Sequence, residues 1–301
     1  NKGNFMKRVY NYYKIRGIEN KFFIGCIIVF LIISFLLYKL HYKIFNHNLK
    51  LMFYEVSTEK IWGNVRVAFL SDLHSCHYGK DQQELLQAIY QQKPDIILLG
   101  GDIVDDILPR EPAEIVLREL ANRYPCFYVS GNHEYRSGEI SKIKKIISEY
   151  NITILEGNCS KLEINNNLIS ICGVDDYEIG EREYKKQLEK IEREKIDGLY
   201  TIFLAHRPEW IDIYLKYSFD LIFTGHAHGG QWRIPGILNG LYAPNQGLFP
   251  KYAGGRYDFE NSTFIVSRGL AKESTRIPRI FNPPELVIVD IKGIQKTPCE
   301  K

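Results

Sequence analysis

The feature that most constrains the fold is a regular alternation of short apolar runs with amphipathic stretches, which begins at Val65. Three apolar runs have the length and residue types of buried strands: VRVAFL (65–70), DIILLG (95–100) and CFYVS (126–130). Between and after them lie stretches with helical periodicity, such as DQQELLQAIYQQ (81–92) and EPAEIVLRELANRY (111–124). This alternation predicts an α/β sheet covered by helices.

The second half of the chain predicts further strands with less regular connections. Residues 161–176 alternate in polarity around Asn165–Asn167, as in a half-exposed antiparallel hairpin. A charged helix over 181–195 leads to strand YTIFLA (200–205), helix PEWIDIYLKY (208–217) and strand FDLIFT (219–224). Residues 229–261, rich in Gly, Pro and aromatic residues, read as a long ordered loop. Two late strands, STFIV (262–266) and PELVIVDIK (284–292), close the domain.

An apolar segment near the N-terminus separates charge in the chain. Residues 22–38 contain no charged residue, a length at the short end for crossing a bilayer, where about 20 residues are usual. Residues 1–50 carry nine Lys/Arg and one Glu, a net charge of +8, which leaves −5 for residues 51–301 of a chain whose total is +3. A mildly acidic globular part argues against a broad nucleic-acid surface.

This segment favours an uncleaved membrane anchor. A soluble core helix would keep a polar stripe, and a cleaved signal peptide would be followed by a small-x-small site, which KLHYKIFNH (39–47) lacks. The larger basic excess lies before the segment, so the positive-inside rule predicts a cytoplasmic N-terminus and an extracytoplasmic domain. The predicted organisation is a basic segment (1–21), a transmembrane helix (22–40), a linker (41–61), a globular domain (62–292) and a tail (293–301).

Potential metal ligands follow five of the predicted buried strands, at the edge where open α/β sheets form binding sites. Five of the eight histidines in the chain lie at these strand ends. Carboxylate, amide and imidazole groups suit Mn, Fe or Zn better than Ca or Mg. With more than six candidate ligands, two ions bridged by a carboxylate fit better than one ion. The candidates are Asp72, His74, Asp102, Asn132, His206, His226 and His228.

The series SDLH (71–74), GDIVD (101–105), GNHE (131–134), AHRPE (205–209) and GHAHGGQ (225–231) resembles the calcineurin-like metallophosphoesterase superfamily. GHAHGGQWRIP (225–235), VSRGL (266–270) and PRIFNPPEL (278–286) are similar to its membrane-anchored YkuE/YaeI-type branch. The resemblance covers about residues 62–292. It implies a four-layer αββα sandwich with two central mixed sheets, here preceded by one N-terminal transmembrane helix. Ala227 departs from the branch, which usually has Thr there, but this side chain is not a ligand in the family.

The resemblance also implies roles for individual residues and a cofactor of two divalent metal ions, Mn, Fe or Zn. Asp72, His74 and His228 would hold the first ion, Asp102 would bridge, and Asn132, His206 and His226 would hold the second. His133 would stabilise charge on the substrate phosphate or protonate the leaving oxygen. Asp105 would orient His133 and keep it protonated, and the nucleophile would be a hydroxide that bridges the ions.

Other interpretations of these residues and of the chain remain open. Asp and Asn also favour turns at strand ends, and Asp105 could cap the next helix. The expected reaction is hydrolysis of a phosphodiester or pyrophosphate, with a membrane lipid or envelope component as the partner substrate and nucleic acid unfavoured. The alternatives are a nucleotide phosphodiesterase and a catalytically idle metal-binding envelope scaffold. Apolar residues in 234–252 either form an entrance for a lipid or pack locally.

The six cysteines, Cys26, Cys76, Cys126, Cys159, Cys172 and Cys299, show no CxxC pair. Cys126 and Cys172 lie in apolar strand-like runs, where cysteine behaves as a small hydrophobic residue. The spacing therefore predicts no particular disulfide.

Overall fold

The computed structural model describes residues 2–46, 48–272 and 277–294 of the chain, which divides into two compact units, residues 1–46 and 47–301. The first unit is a single helix, α1 (Lys2–Ile44). Its segment Phe23–Ile44 has a mean hydropathy of 2.6 over 22 residues and is not buried in the structure. This stretch is long and apolar enough to cross a membrane.

The second unit contains the other helices and all fourteen strands of the described residues. The helices are α2 (Gln83–Gln92), α3 (Glu111–Ala121), α4 (Asn132–Arg136), α5 (Ile140–Glu149), α6 (Glu181–Glu194) and α7 (Ile211–Tyr214). The strands are β1 (Lys50–Thr58), β2 (Asn64–Leu70), β3 (Ile96–Gly100), β4 (Cys126–Val129), β5 (Thr153–Ile154), β6 (Asn158–Ile164), β7 (Asn167–Gly173), β8 (Tyr200–Leu204), β9 (Leu221–Thr224), β10 (Tyr242–Ala243), β11 (Gly247–Leu248), β12 (Gly255–Asp258), β13 (Thr263–Val266) and β14 (Glu285–Gly293).

Two mixed six-stranded sheets form the centre of this unit. The first has the order β1-β14-β2-β3-β4-β5 and the second β12-β13-β9-β8-β7-β6. Strands β2, β3 and β4 are parallel neighbours, as are β7, β8 and β9. The edge at which β2, β3, β4, β8 and β9 end is called the site edge below.

Apolar side chains fill three layers of core around the two sheets. The middle core joins both sheets, and the rings of Phe69 and Phe223 meet in it with centroids 4.9 Å apart. A second core lies between the first sheet and the helices α2, α3 and α5, and a third between the second sheet and the helices α6 and α7. Strand β3 is buried along its whole length because it is covered on both faces. These layers confirm the predicted αββα sandwich.

The region expected to be a linker, residues 41–61, has a different structure. Helix α1 continues to Ile44, and residues 50–58 form the edge strand β1, which pairs in parallel with β14 over its full length. The sequence of β1 is mixed because its side chains are mostly exposed or half-buried. Its partner lies more than 200 residues downstream, so a local pattern could not show the pairing.

The structure pairs Cys159 with Cys172 in a disulfide, which the irregular cysteine spacing did not predict. The two residues are directly opposite each other in the antiparallel pair β6–β7. The hairpin predicted over 161–176, with its turn at Asn165–Asn167, specified no register, so it did not show that residue 159 lies opposite residue 172.

Candidate metal centre

The loops after β2 and β3 are joined to each other by backbone hydrogen bonds. The Asp72 N–H donates to the Gly101 carbonyl over 3.0 Å, and the His74 N–H donates to the Asp102 carbonyl over 2.9 Å. The backbone alone therefore fixes the positions of Asp72, His74 and Asp102 relative to one another, independently of any contact between their side chains.

Four side chains at the site edge form a first ligand group: Asp72, His74, Asp102 and His228, with one potential ligand atom of each within 4.8 Å of the others. His228 Nε2 lies 3.5 Å from Asp72 Oδ1, and His74 Nε2 lies 3.6 Å from Asp102 Oδ2. All four residues are buried. The group joins loops from both sheets, since His228 follows β9.

Asp102, His206 and His226 form a second ligand group by the same criterion. His206 Nε2 lies 3.1 Å from Asp102 Oδ2, and His226 Nδ1 lies 3.2 Å from His206 Nε2. Asn132, the other ligand predicted on this side, is buried at the start of α4, directly before His133, whose N–H donates to Asp102 Oδ1. Asp102 thus belongs to both groups.

Backbone strain is concentrated at these positions. Five of the seven predicted ligands, Asp72, His74, Asp102, His226 and His228, have φ between 46° and 63°, the left-handed region that non-glycine residues rarely adopt. Glycine is required beside them: a Cβ on Gly131 would lie 2.2 Å from Asp102 Oδ1. Strain of this kind persists only where the surrounding structure holds it, and here all five strained residues belong to the two ligand groups.

The two carboxyl groups that face both sheets differ in their electrostatics. Burial disfavours the charged form of each. For Asp72 burial outweighs the neighbouring histidines and raises the pKa. For Asp102 burial is outweighed by the charges of His206 and His74 and by the hydrogen bond from His206, so that its pKa lies well below the usual range. Asp102 is therefore the more acidic of the two carboxyl groups.

The histidines of the second group also differ. Burial lowers the pKa of His206, but the charges of Asp102 and Asp72 dominate and raise it to about 10. Burial and the nearby charge of His206 lower the pKa of His226 to about 3. In the first group, burial and the charge of His74 hold the pKa of His228 well below its usual range. His226 and His228 are thus neutral imidazoles, the form that binds metal.

The donor set fits divalent metal ions. His74 Nε2 and Asn132 Oδ1 are buried and have no hydrogen-bond partner among the described residues, a costly state for polar atoms unless another group satisfies them. His206 Nδ1 donates to the Gly100 carbonyl over 2.8 Å, which directs Nε2 toward Asp102, where an ion could take the place of the Nε2 proton. Buried imidazole, carboxylate and amide groups that converge on one place match the ligands of Mn, Fe or Zn.

Asp105 has a different partner from the one expected. Its Oδ2 accepts a hydrogen bond from His74 Nδ1 over 2.8 Å and lies 3.6 Å from His133 Nδ1. His133 Nδ1 instead donates to Asp106 over 2.7 Å. The reason is local: Asp105 Oδ1 also accepts the N–H groups of Ile107 and Leu108, which turns this carboxylate toward the buried His74.

Three further residues support the centre without having been singled out as functional. The buried carboxylate of Glu134 accepts four backbone N–H groups, those of Asp102, Ile103, Val104 and Gly131. Asn245 Oδ1 accepts from His226 Nε2 over 2.8 Å. Asp106 holds His133, as described above. The doubled Asp105–Asp106 was a usable signal, whereas Asn245 reaches the centre from a loop that has no periodic pattern.

Comparison with known proteins agrees with this geometry. The sequence profile of the calcineurin-like phosphoesterase family matches residues 65–230. A metallophosphoesterase of Aquifex aeolicus is 32% identical over 80% of this chain and 90% of its own length. The chain belongs to the calcineurin-like phosphoesterase family. It is therefore a hydrolase of phosphoester bonds, in a family that uses divalent metals, and the resemblance inferred from its motifs is confirmed.

Two relatives lie in the branch indicated by the later motifs. The Bacillus subtilis metallophosphoesterase YkuE is 27% identical over 76% of this chain and 79% of its own length. The Escherichia coli phosphodiesterase YaeI is 28% identical over 68% of this chain and 74% of its own length.

Proposed function

We propose that this calcineurin-like phosphoesterase hydrolyses phosphodiesters or pyrophosphates at a centre of two divalent metal ions, Mn, Fe or Zn. The observation that carries the proposal is the membership of Asp102 in both ligand groups. A carboxylate shared by two sets of buried imidazoles is the arrangement by which two ions are bridged. The name of YaeI, a phosphodiesterase, supports a diester as the substrate.

In this proposal Asp72, His74 and His228 hold one ion, Asn132, His206 and His226 hold the other, and Asp102 contacts both. When bound, the ions would act as Lewis acids toward the phosphate and lower the pKa of water near neutrality. Asp105 and the Gly100 carbonyl fix the ring orientation of His74 and His206. The ligands are therefore positioned before any ion or substrate arrives.

His133 is the candidate for direct contact with the substrate. Its side chain is 25% exposed, whereas those of the metal-ligand candidates are almost completely buried. Its ring packs edge-on against the ring of His74, with centroids 4.3 Å apart, and its Nδ1 is fixed by Asp106. In the imidazolium form, with Nδ1–H on Asp106, its Nε2–H would donate to a phosphate oxygen or to the leaving oxygen, with Asp106 in the positioning role expected of Asp105.

The proposed location is a membrane, with α1 crossing it once, the N-terminus in the cytoplasm and the domain outside. Three observations support this proposal: the apolar stretch of α1, the basic excess before it and the disulfide Cys159–Cys172, since disulfides persist in oxidising compartments. The proposed substrate is then a phosphoester of a membrane lipid or envelope component.

The test uses the full chain in nanodiscs, stripped of metal and then supplied with Mn, Fe or Zn separately. Hydrolysis of bis-p-nitrophenyl phosphate is compared with that of p-nitrophenyl phosphate. We expect activity to return with metal and to favour the diester. A folded protein that binds metal but hydrolyses neither ester with any metal would instead support an idle scaffold.

A further inference from the structure

The loop between His228 and β12 exposes an unusual concentration of apolar side chains. Outside α1, the described residues include thirteen exposed large hydrophobic side chains, and six of them lie within residues 232–249. The six are Trp232, Ile234, Ile237, Tyr242, Leu248 and Phe249; they are called the apolar rim below. A concentration of this kind on a soluble surface marks a site of interaction.

The rim is joined directly to the metal centre. Residues Tyr242–Ala243 and Gly247–Leu248 pair as a small antiparallel hairpin, β10–β11. Asn245 in its turn accepts the hydrogen bond from His226, while Tyr242, Leu248 and Phe249 are exposed on the same hairpin. One short element therefore touches a candidate metal ligand with its turn and presents apolar side chains to its surroundings.

The loop that carries the rim contains no acidic residue. Residues 229–257 include three basic residues, Arg233, Lys251 and Arg256, of which Arg256 is paired with Asp258, although the domain as a whole is acidic. Aromatic and aliphatic side chains among basic residues are the composition of segments that lie at the interface of an anionic bilayer. A partner protein that binds through acidic residues would complement the basic side chains but would leave the exposed aliphatic side chains without apolar contacts.

The connection to α1 reaches the domain at the same edge. Lys50, the first residue of β1, pairs with Glu285 at the start of β14. Because β14 is antiparallel to β2, this start lies at the site edge, where β2 ends. In the sequence, residues 45–49 separate α1 from β1. The chain therefore enters the domain at the site edge.

We infer that the apolar rim contacts the bilayer interface, so that the metal centre receives phosphoesters whose lipid part remains in the membrane. The inference rests on the proposed function and deepens it by assigning the surface through which a lipid-linked substrate reaches the metal centre. A lipid whose phosphate lies at the membrane interface need not leave the bilayer to be hydrolysed, because the hairpin that contacts the lipids also borders the metal centre.

Membrane contact is tested in the full chain with native tryptophans at opposite edges. Trp232 belongs to the rim and is 41% exposed, whereas Trp62 is 68% exposed and lies at the other edge, hydrogen-bonded to Asn167 at the start of β7. Trp62→Phe with Trp210→Phe leaves only Trp232, and Trp210→Phe with Trp232→Phe leaves only Trp62. In nanodiscs of phosphatidylcholine and phosphatidylglycerol with brominated chains, we expect quenching of Trp232 and not of Trp62.

Equal quenching of the two tryptophans, or none of Trp232, would overturn the inference. Dimerisation through Leu248 and Phe249 with Trp232 unquenched would assign the rim to a second copy of the chain and would also overturn it. The quenching result does not depend on catalysis. The proposed function can therefore fail, by absence of bis-p-nitrophenyl phosphate hydrolysis, without affecting this test.

Substrate class is tested by a ratio of rates in the same nanodiscs. A lipid-linked chromogenic phosphodiester is compared with bis-p-nitrophenyl phosphate. For the double variant Leu248→Ser, Phe249→Ser we expect the ratio of lipid-linked to soluble hydrolysis to fall about ten-fold, because two apolar contacts with the bilayer are lost. Leu168→Ser, at a 46% exposed position on β7, should leave the ratio unchanged. An unchanged ratio in the double variant would refute the lipid-linked substrate.

Discussion

The two ligand groups share Asp102 but are supported by different chemistry. In the first group, His74 is held by a second carboxylate, Asp105, and Asp72 adds a third. In the second group, His206 is held by the carbonyl of Gly100 and His226 by the amide of Asn245, and its remaining predicted ligand, Asn132, is neutral. The first group concentrates more negative charge, so we expect it to bind its ion more tightly and the second group to exchange its ion first.

Removal of the shared carboxylate should abolish the difference in metal affinity between the two groups, because neither group would then retain its ion. Asp102→Asn replaces an ionised carboxylate by an amide with a single acceptor oxygen. We expect loss of both ions and a fall in diester hydrolysis of about a thousand-fold, equivalent to about 4 kcal/mol. Metal content by mass spectrometry and the hydrolysis rate measure the effect. Asp212→Asn, on the exposed face of α7, is the matched control, and a variant at Asp102 that kept both ions would contradict the bridging role.

Replacing the carboxylate behind His74 by an amide, the group that lies behind His226, should reduce the difference in metal affinity by weakening the first group alone. Asp105→Asn leaves an amide behind His74, as Asn245 stands behind His226. We expect the affinity of the first group to fall about 100-fold and that of the second to change little, since partners behind a metal-bound histidine contribute 10- to 100-fold. A two-step Mn titration of the metal-free chain separates the groups. A uniform loss in both steps would show that Asp105 acts on the whole centre.

The sequence predicts the parts of this site that local pattern encodes. Each candidate ligand follows a buried apolar run, and Asp72, Asp102 and His226 lie where parallel strands end together. The pairing of β1 with β14 and the contact of Asn245 with His226 join residues that are distant in sequence or lie in irregular loops. The choice of Asp106 rather than Asp105 for His133 depends on side-chain directions within one turn. None of these three contacts can be predicted from a local sequence pattern.

The metal-free protein should lose stability with rising pH because of the second group. The pKa of His206 is raised from 6.5 to about 10 by Asp102 and Asp72 despite burial. Its stabilising contribution is therefore complete below pH 6.5 and is lost as pH rises toward 10, with a slope of about 1.4 kcal/mol per pH unit. Thermal unfolding of the chelator-treated chain, at about half-unit steps between pH 7 and 9.5, measures this loss of stability. His206→Gln should flatten the slope; an unchanged slope would assign it elsewhere.

The smallest effect is expected from the support of His226. Asn245→Ala removes the acceptor for His226 Nε2 but leaves the ring buried against His206. We expect the affinity of the second group to fall about ten-fold, the lower end of the range for such partners, because packing still limits the ring. The first step of the Mn titration should be unaffected. Asn239→Ala, in the same loop but bonded to Gly254 and Arg268, separates loss of this contact from general loosening of the loop. If Asn239→Ala weakened the second step as much as Asn245→Ala, the loop as a whole, and not the His226 hydrogen bond, would set the lower affinity of this group.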